Sequence, residues 1–207
     1  MDSRKFLTTG ALGAAAAPLA TPAIAQDVQQ WKMVTAWPKN LPGPGVAAQM
    51  LADRITTLSG GRIEVKLYAS GEIVPGPGVF DAVSEGTAEL YHAVPAYWGS
   101  KSKGILLFGS QPFGLRADEQ FGWLYHGGGL ELWREAYAPF NLIPMAGGNT
   151  GVQMAGWFNK EINSVDDLKG LKMRIPGSGG EVLNRLGGTS VTLPGGELYT
   201  SLQTGVI

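Results

Sequence analysis

Pro42-Gly43-Pro44-Gly45-Val46 recurs unchanged at Pro75-Gly76-Pro77-Gly78-Val79, and looser versions stand at Pro176-Gly177-Ser178-Gly179-Gly180 and Pro194-Gly195-Gly196. What flanks each copy decides the fold. Residues 31–37 (WKMVTAW), ahead of the first copy, are a short apolar, β-prone run. After it, Ala47, Met50, Leu51, Ile55 and Leu58 keep helical spacing until Ser59-Gly60-Gly61 stops the helix. Ahead of the second copy, Ile63, Val65 and Leu67 alternate with Arg62, Glu64 and Lys66, the pattern of a half-buried strand. A helix over 79–85 follows it, closed by Gly86, and then a strand over 90–94. The third copy stands between a strand at 172–175 and a helix at 181–186. The fourth stands between a strand at 191–193 and a helix at 196–204.

Each cluster therefore joins a strand to the helix after it. Proline has no N–H and ends the ladder, while glycine permits the sharp turn into the helix. Recurring βα units predict an α/β fold with parallel strands. In such sheets ligands bind at the carboxyl ends of strands, beside helix N-termini, so residues just before these loops are the first candidates for ligand contact. Between the second and third copies, helices are expected at 116–126 and 130–138, separated by Gly127-Gly128-Gly129. Strands are expected at 141–146 and 152–158. Ser164-Val165-Asp166-Asp167 has a capping-box layout that opens a short helix.

Composition narrows the function classes. The 207 residues carry a net charge of −1, which gives no basic excess to neutralise phosphates and argues against nucleic acid as a partner. No cysteine is present, which removes thiol catalysis, disulfides and Cys-ligated metal centres. His92 and His126 are the only histidines, too few for a His-rich metal site. Residues 1–25 read as a signal peptide: basic Arg4 and Lys5, an apolar alanine-rich stretch, and Ala23-Ile24-Ala25 as the cleavage site before Gln26. The stretch is shorter than the ~20 apolar residues that span a bilayer. Asp2-Ser3-Arg4-Lys5-Phe6-Leu7 resembles a twin-arginine motif with serine in the first arginine's place, so the route is Tat-like or Sec and the destination the periplasm.

Arg174 is the sharpest candidate for chemistry. It stands near a strand end, two residues before the third loop, where a guanidinium projects over a cleft and can grip a carboxylate through two parallel hydrogen bonds. A surface ion pair is the alternative reading of the same position. Gln153, inside the apolar stretch 152–158, is either a structural hydrogen bond or a ligand contact. Trp37, Tyr97 and Trp98 sit at strand ends or loops and serve either as core or as the apolar walls of a small-ligand cleft. Gly43-Pro44-Gly45-Val46-Ala47-Ala48 fits a dinucleotide fingerprint, but proline lies inside the loop and the expected ribose acid is missing. There is no G-x-S-x-G elbow and no H-E-x-x-H.

Residues 157–162 (WFNKEI) and 167–177 (DLKGLKMRIPG) resemble the hallmark segment of the solute receptors of tripartite ATP-independent periplasmic (TRAP) transporters. Residues 59–63, 86–90 and 197–207 are similar to further blocks of that family. Trp37-Pro38, the Pro-Gly-Pro-Gly-Val loops and Gln153 resemble its α-keto-acid branch. The resemblance implies a periplasmic-binding-protein-like architecture: two α/β domains around a cleft, with residues 26–150 forming the first and 151–207 part of the second. Relatives continue past the position of Ile207, so the second domain is expected to be incomplete here. The resemblance further implies that Arg174 clamps the substrate carboxylate and that Gln153 contacts both substrate and a bound cation, sodium or calcium. The function it implies is a non-enzymatic receptor that carries a 2-oxo acid such as pyruvate to TRAP membrane permease subunits. Some members form homodimers through their C-terminal helices. A receptor for lactate or a sugar acid is the alternative within the family. An extracytoplasmic enzyme acting on a carboxylate, or a truncated product without stable function, are the alternatives outside it.

Overall fold

A computed structural model describes residues 27–109 and 111–207; the expected signal peptide lies outside the described residues. Strands β1 (Gln29–Thr35), β2 (Ile63–Tyr68) and β3 (Leu90–His92) form a parallel sheet in the order β2-β1-β3. Helix α1 (Pro44–Leu58) crosses from β1 to β2, and α2 (Val79–Ser84) from β2 to β3. Both Pro-Gly-Pro-Gly-Val copies fall at these turns. Gly43, at φ 80°, takes a backbone conformation that a side chain would strain, and Pro44 then starts α1. Helices α3 (Ala117–His126) and α4 (Gly129–Tyr137) follow. A second parallel pair, β4 (Lys172–Arg174) and β5 (Thr189–Val191), is joined by α5 (Gly177–Arg185), with α6 (Leu198–Gln203) after the fourth loop.

β1 is covered on both faces, as a central parallel strand must be. Met33 packs with Ala48 and Ala52 of α1 on one face. Val34 points to the other, into a cluster with Val79, Phe80, Trp98, Phe108, Trp133 and Tyr137. Phe80 is fully buried at its centre, with Trp98 5.0 Å, Phe140 5.1 Å and Tyr137 5.8 Å away between ring centroids. These separations suit tilted and edge contacts between aromatic quadrupoles. β2, at the sheet edge, keeps the alternation expected of it, and its exposed Glu64 accepts a 2.6 Å hydrogen bond from Gln30 across the ladder.

Two expected strands do not form. Residues 141–146 and 152–158 run without a ladder partner among the described residues. Pro144 removes a donor from the first segment, and Gly151 and Gly156 weaken the second. Without a partner, the apolar side chains of the second stay in water: Val152, Met154 and Trp157 are exposed, Trp157 at 90%. β5 begins two residues earlier than expected, because polar Thr189 and Ser190 pair with Lys172 and Met173. The capping box holds: the Asp167 carboxylate accepts from Ser164 N–H at 2.8 Å and Asn163 N–H at 3.0 Å, and opens a 3₁₀ turn over Val165–Leu168 in place of an α-helix.

Candidate ligand-binding site

Parallel strands bring their carboxyl ends to one edge, and the side chains of interest gather there. Arg174 is the last residue of β4. Its Nε and Nη2 donate to the Leu193 carbonyl, just past β5, at 3.2 and 3.0 Å. Nη2 also donates to the Tyr97 hydroxyl at 3.1 Å, and the guanidinium carbon lies 5.7 Å from the centre of the Tyr97 ring, within cation–π range. Tyr97 belongs to a 3₁₀ turn, Pro95–Trp98, that follows β3. The pair thus joins the two sheets. No carboxylate among the described residues lies within ion-pairing distance of Arg174. A surface ion pair is therefore not what the structure shows. Two neutral oxygens hold the cation, and Nη1 donates to none of the described residues.

Trp37, two residues past β1, stands with its ring 6.5 Å from that of Tyr97. Its indole N–H donates to His92 Nδ1 at 2.8 Å, and His92 ends β3. The structure thus brings Arg174, Tyr97, Trp37 and His92 into one chain of contacts. Burial lowers the His92 pKa below the usual histidine range, and the Gly147 carbonyl at its Nε2 partly offsets this. His92 was not among the sequence candidates. The signal that could have found it was its place at a β-strand end, the rule that selected Arg174.

One expectation is corrected. Trp98 is core: 3% exposed, packed on Phe80 and Tyr91, with its indole N–H satisfied by the Pro77 carbonyl at 2.9 Å. Consecutive residues in a tight turn point to different sides, and the Tyr97 and Trp98 rings are nearly perpendicular at 88°. Gln153 lies in an exposed, irregular segment, its amide N–H donating to Thr150 Oγ1 at 2.8 Å. No contact joins it to Arg174, Tyr97 or Trp37. Its Oε1 offers one neutral donor where calcium takes roughly six to eight oxygens. No group of three or more His, Asp or Glu among the described residues could hold a metal.

Beside Tyr97 opens a cavity of ≈ 640 Å³ between the 96–106 segment and the β4–α5–β5 unit, lined in part by Lys103, Ile175, Glu181 and Arg185. A smaller hollow of ≈ 390 Å³, lined by Asp27, Gln29, Ser59, Arg62 and Ile63, sits at the opposite ends of β1 and β2, away from all four Pro-Gly loops.

Residues 33–207 match the family of bacterial extracellular solute-binding proteins, family 7. The chain belongs to that family. The resemblance drawn from residues 157–177 and the flanking blocks is borne out, as is the α/β, periplasmic-binding-protein-like fold. A monocarboxylate 2-oxoacid-binding periplasmic protein of Nostoc is 46% identical over 215 residues, covering 100% of this chain and 59% of its own length. A TRAP periplasmic solute-binding protein from Pseudoalteromonas atlantica, solved with bound sodium and pyruvate, is 42% identical with a TM-score of 0.84. One from Colwellia psychrerythraea, solved with bound calcium and pyruvate, is 43% identical with a TM-score of 0.83. Each covers 87% of this chain, which in turn spans 55% of each of them. Members of this family bind solutes for transport and are named for a place outside the cell.

Proposed function

We propose that this family 7 chain is part of a TRAP receptor that binds a small monocarboxylate, a 2-oxo acid such as pyruvate, and hands it to a membrane permease. The observation that carries this reading is Arg174: a half-buried guanidinium at a β-strand end, held by Leu193 and Tyr97, with no acidic partner among the described residues. A cation so placed is complete when an anion arrives. The ligand carboxylate meets the N–H groups of Nη1, with the Tyr97 and Trp37 rings as apolar walls for a short carbon chain. The relatives that bind pyruvate, one with sodium and one with calcium, support the 2-oxo acid and make a bound cation part of the proposal, with Gln153 one of its contacts. Residues 26–150 act as the first α/β domain and 151–207 as part of the second, so that Arg174 and Tyr97 face each other across the cleft. The role is carriage without catalysis, in the periplasm, after removal of residues 1–25.

Isothermal titration of the complete gene product against a panel of organic acids, with and without sodium or calcium, tests this. Pyruvate and related 2-oxo acids should bind more tightly than lactate, sugar acids or dicarboxylates. A preference for any of those others, or no 2-oxo acid binding under either cation, overturns it.

A further inference from the structure

His92 is a half-buried titratable group that the carboxylate clamp does not use, and both its ring nitrogens are engaged. Nδ1 receives the Trp37 indole N–H at 2.8 Å, and Nε2 stands 3.1 Å from the Gly147 carbonyl. An indole N–H can only donate and a carbonyl can only accept, so the two partners together select the neutral ring with its proton on Nε2. The backbone at Gly147 has come as close as it can: a methyl group there would lie 3.1 Å from both Cδ2 and Nε2 of the ring. Beyond Trp37, the contacts pass to Tyr97 and from there to Arg174.

We propose that His92 is a positioning residue for the carboxylate site: its neutral imidazole orients the Trp37 indole and ties the segment leading to Gln153 to the carboxyl end of β3. The ligand side of this inference rests on the function proposed above. Protonation puts a second N–H on the ring, at Nδ1, which meets the Trp37 N–H donor to donor; that bond is lost while the bond to Gly147 is kept. The groups facing the ring are the Trp37 indole, the Gly147 carbonyl and, one contact further, the Tyr97 phenol. No Asp or Glu carboxylate among the described residues lies within ion-pairing distance of the ring. Burial is thus the main influence, and it favours the neutral form. The folded-state pKa lies below the unfolded value of ~6.5, so the oriented state is complete above that pH and is lost as pH falls through the lowered pKa.

The test is ¹⁵N NMR of the complete gene product without ligand, following the Trp37 indole and the His92 ring nitrogens against pH, together with pyruvate titrations of two variants. His92→Asn places an oxygen near Nδ1 and keeps an acceptor for Trp37. His92→Gln places its amide near Nε2 and removes that acceptor. In wild type the Trp37 indole signal should shift on acidification, with a midpoint below ~6.5 that matches the His92 ring. His92→Gln should expose the indole N–H to fast hydrogen exchange and weaken pyruvate by about three- to tenfold. His92→Asn should keep both properties nearer wild type and abolish the titration. An indole signal indifferent to pH and to His92→Gln overturns the inference, as does equal weakening by both variants with Trp37 unmoved. Should wild type bind no pyruvate, the receptor reading fails by itself, and the indole titration still decides the link from His92 to Trp37.

Discussion

Replacing Arg174 separates a ligand clamp from a structural arginine, and the structure sets the size of each effect. In the proposed site, the Tyr97 and Trp37 rings would shield the carboxylate–guanidinium pair once ligand is bound. Truncating one partner of such a pair costs about 2–5 kcal/mol, much of it from leaving the other charge unpaired. That is roughly thirtyfold to several-thousandfold in affinity. Arg174 is half-buried rather than sealed, and water screens part of the charge, so the lower half of that range is the expectation for Arg174→Ala. The apo protein also pays something, because the side chain donates to Leu193 and Tyr97. At a net of about 0.5–1.5 kcal/mol per hydrogen bond, Arg174→Ala should lower Tm by a few degrees, about 2–4 °C per kcal/mol for a chain of this size. Arg174→Lys is the cleaner probe: the charge stays, but an ammonium cannot hold Leu193, Tyr97 and a carboxylate in one plane. Titration calorimetry on the complete gene product should rank wild type above Lys and Lys above Ala, with circular dichroism melts to show that each variant is folded. Wild-type affinity in Arg174→Lys, or an Arg174→Ala protein that unfolds while its folded fraction binds normally, makes the arginine structural and refutes the clamp.

Tyr97→Phe removes the hydroxyl that accepts from Nη2 but leaves the ring beneath the guanidinium; pyruvate should weaken by about three- to tenfold, and unchanged affinity would remove Tyr97 from the site. Trp98→Ala should behave in the opposite way. Emptying its place beside Phe80 should cost about 3–5 kcal/mol in denaturant unfolding, with affinity in the folded fraction within about twofold of wild type. Mature protein recovered from periplasm should begin at Gln26 or within a residue or two by intact mass, and an N-terminus retaining Met1 there would refute the cleavage site.

Local signals made the βα units legible. Glycine and proline punctuate each strand–helix turn, the period switches from two to helical spacing across it, and both signals lie within a dozen residues. The place of Arg174 at a strand end was legible for the same reason, since parallel topology gathers the last residues of strands at one edge. The 141–146 and 152–158 segments were not, because apolar composition shows that a run can form a strand while a ladder needs a partner, and that is a non-local fact. Gln153 was expected inside the second of these strands and lies in an irregular segment instead. Trp98 shows a different gap: in the Pro95–Trp98 turn one aromatic lines a cavity and its neighbour packs in the core, and composition is the same for both. His92 was passed over because the histidines were weighed only as metal ligands. What gives this one its role is the pair of partners at its two nitrogens, which no spacing reveals.

The choice of partners for Arg174 explains how a cation can be both fixed and available. A carboxylate from the protein would hold a guanidinium more firmly than a carbonyl and a phenol do, but it would also neutralise the charge that a carboxylate ligand needs. Leu193 and Tyr97 restrict the rotamers of a long side chain, so less ordering remains to be paid when ligand binds, and they leave its charge uncompensated. The two acceptors come from different sheets: Leu193 follows β5, while Tyr97 follows β3. The guanidinium therefore spans the junction, and its geometry depends on how the two sheets sit against each other. In the proposed receptor, a ligand that draws on Nη1 and rests against Tyr97 and Trp37 would bind one relative placement better than another, and that differential affinity would convert binding into closure. The proposed carriage needs this property. An arginine already paired with an aspartate would bind a carboxylate weakly in every placement, which would not serve the proposed receptor.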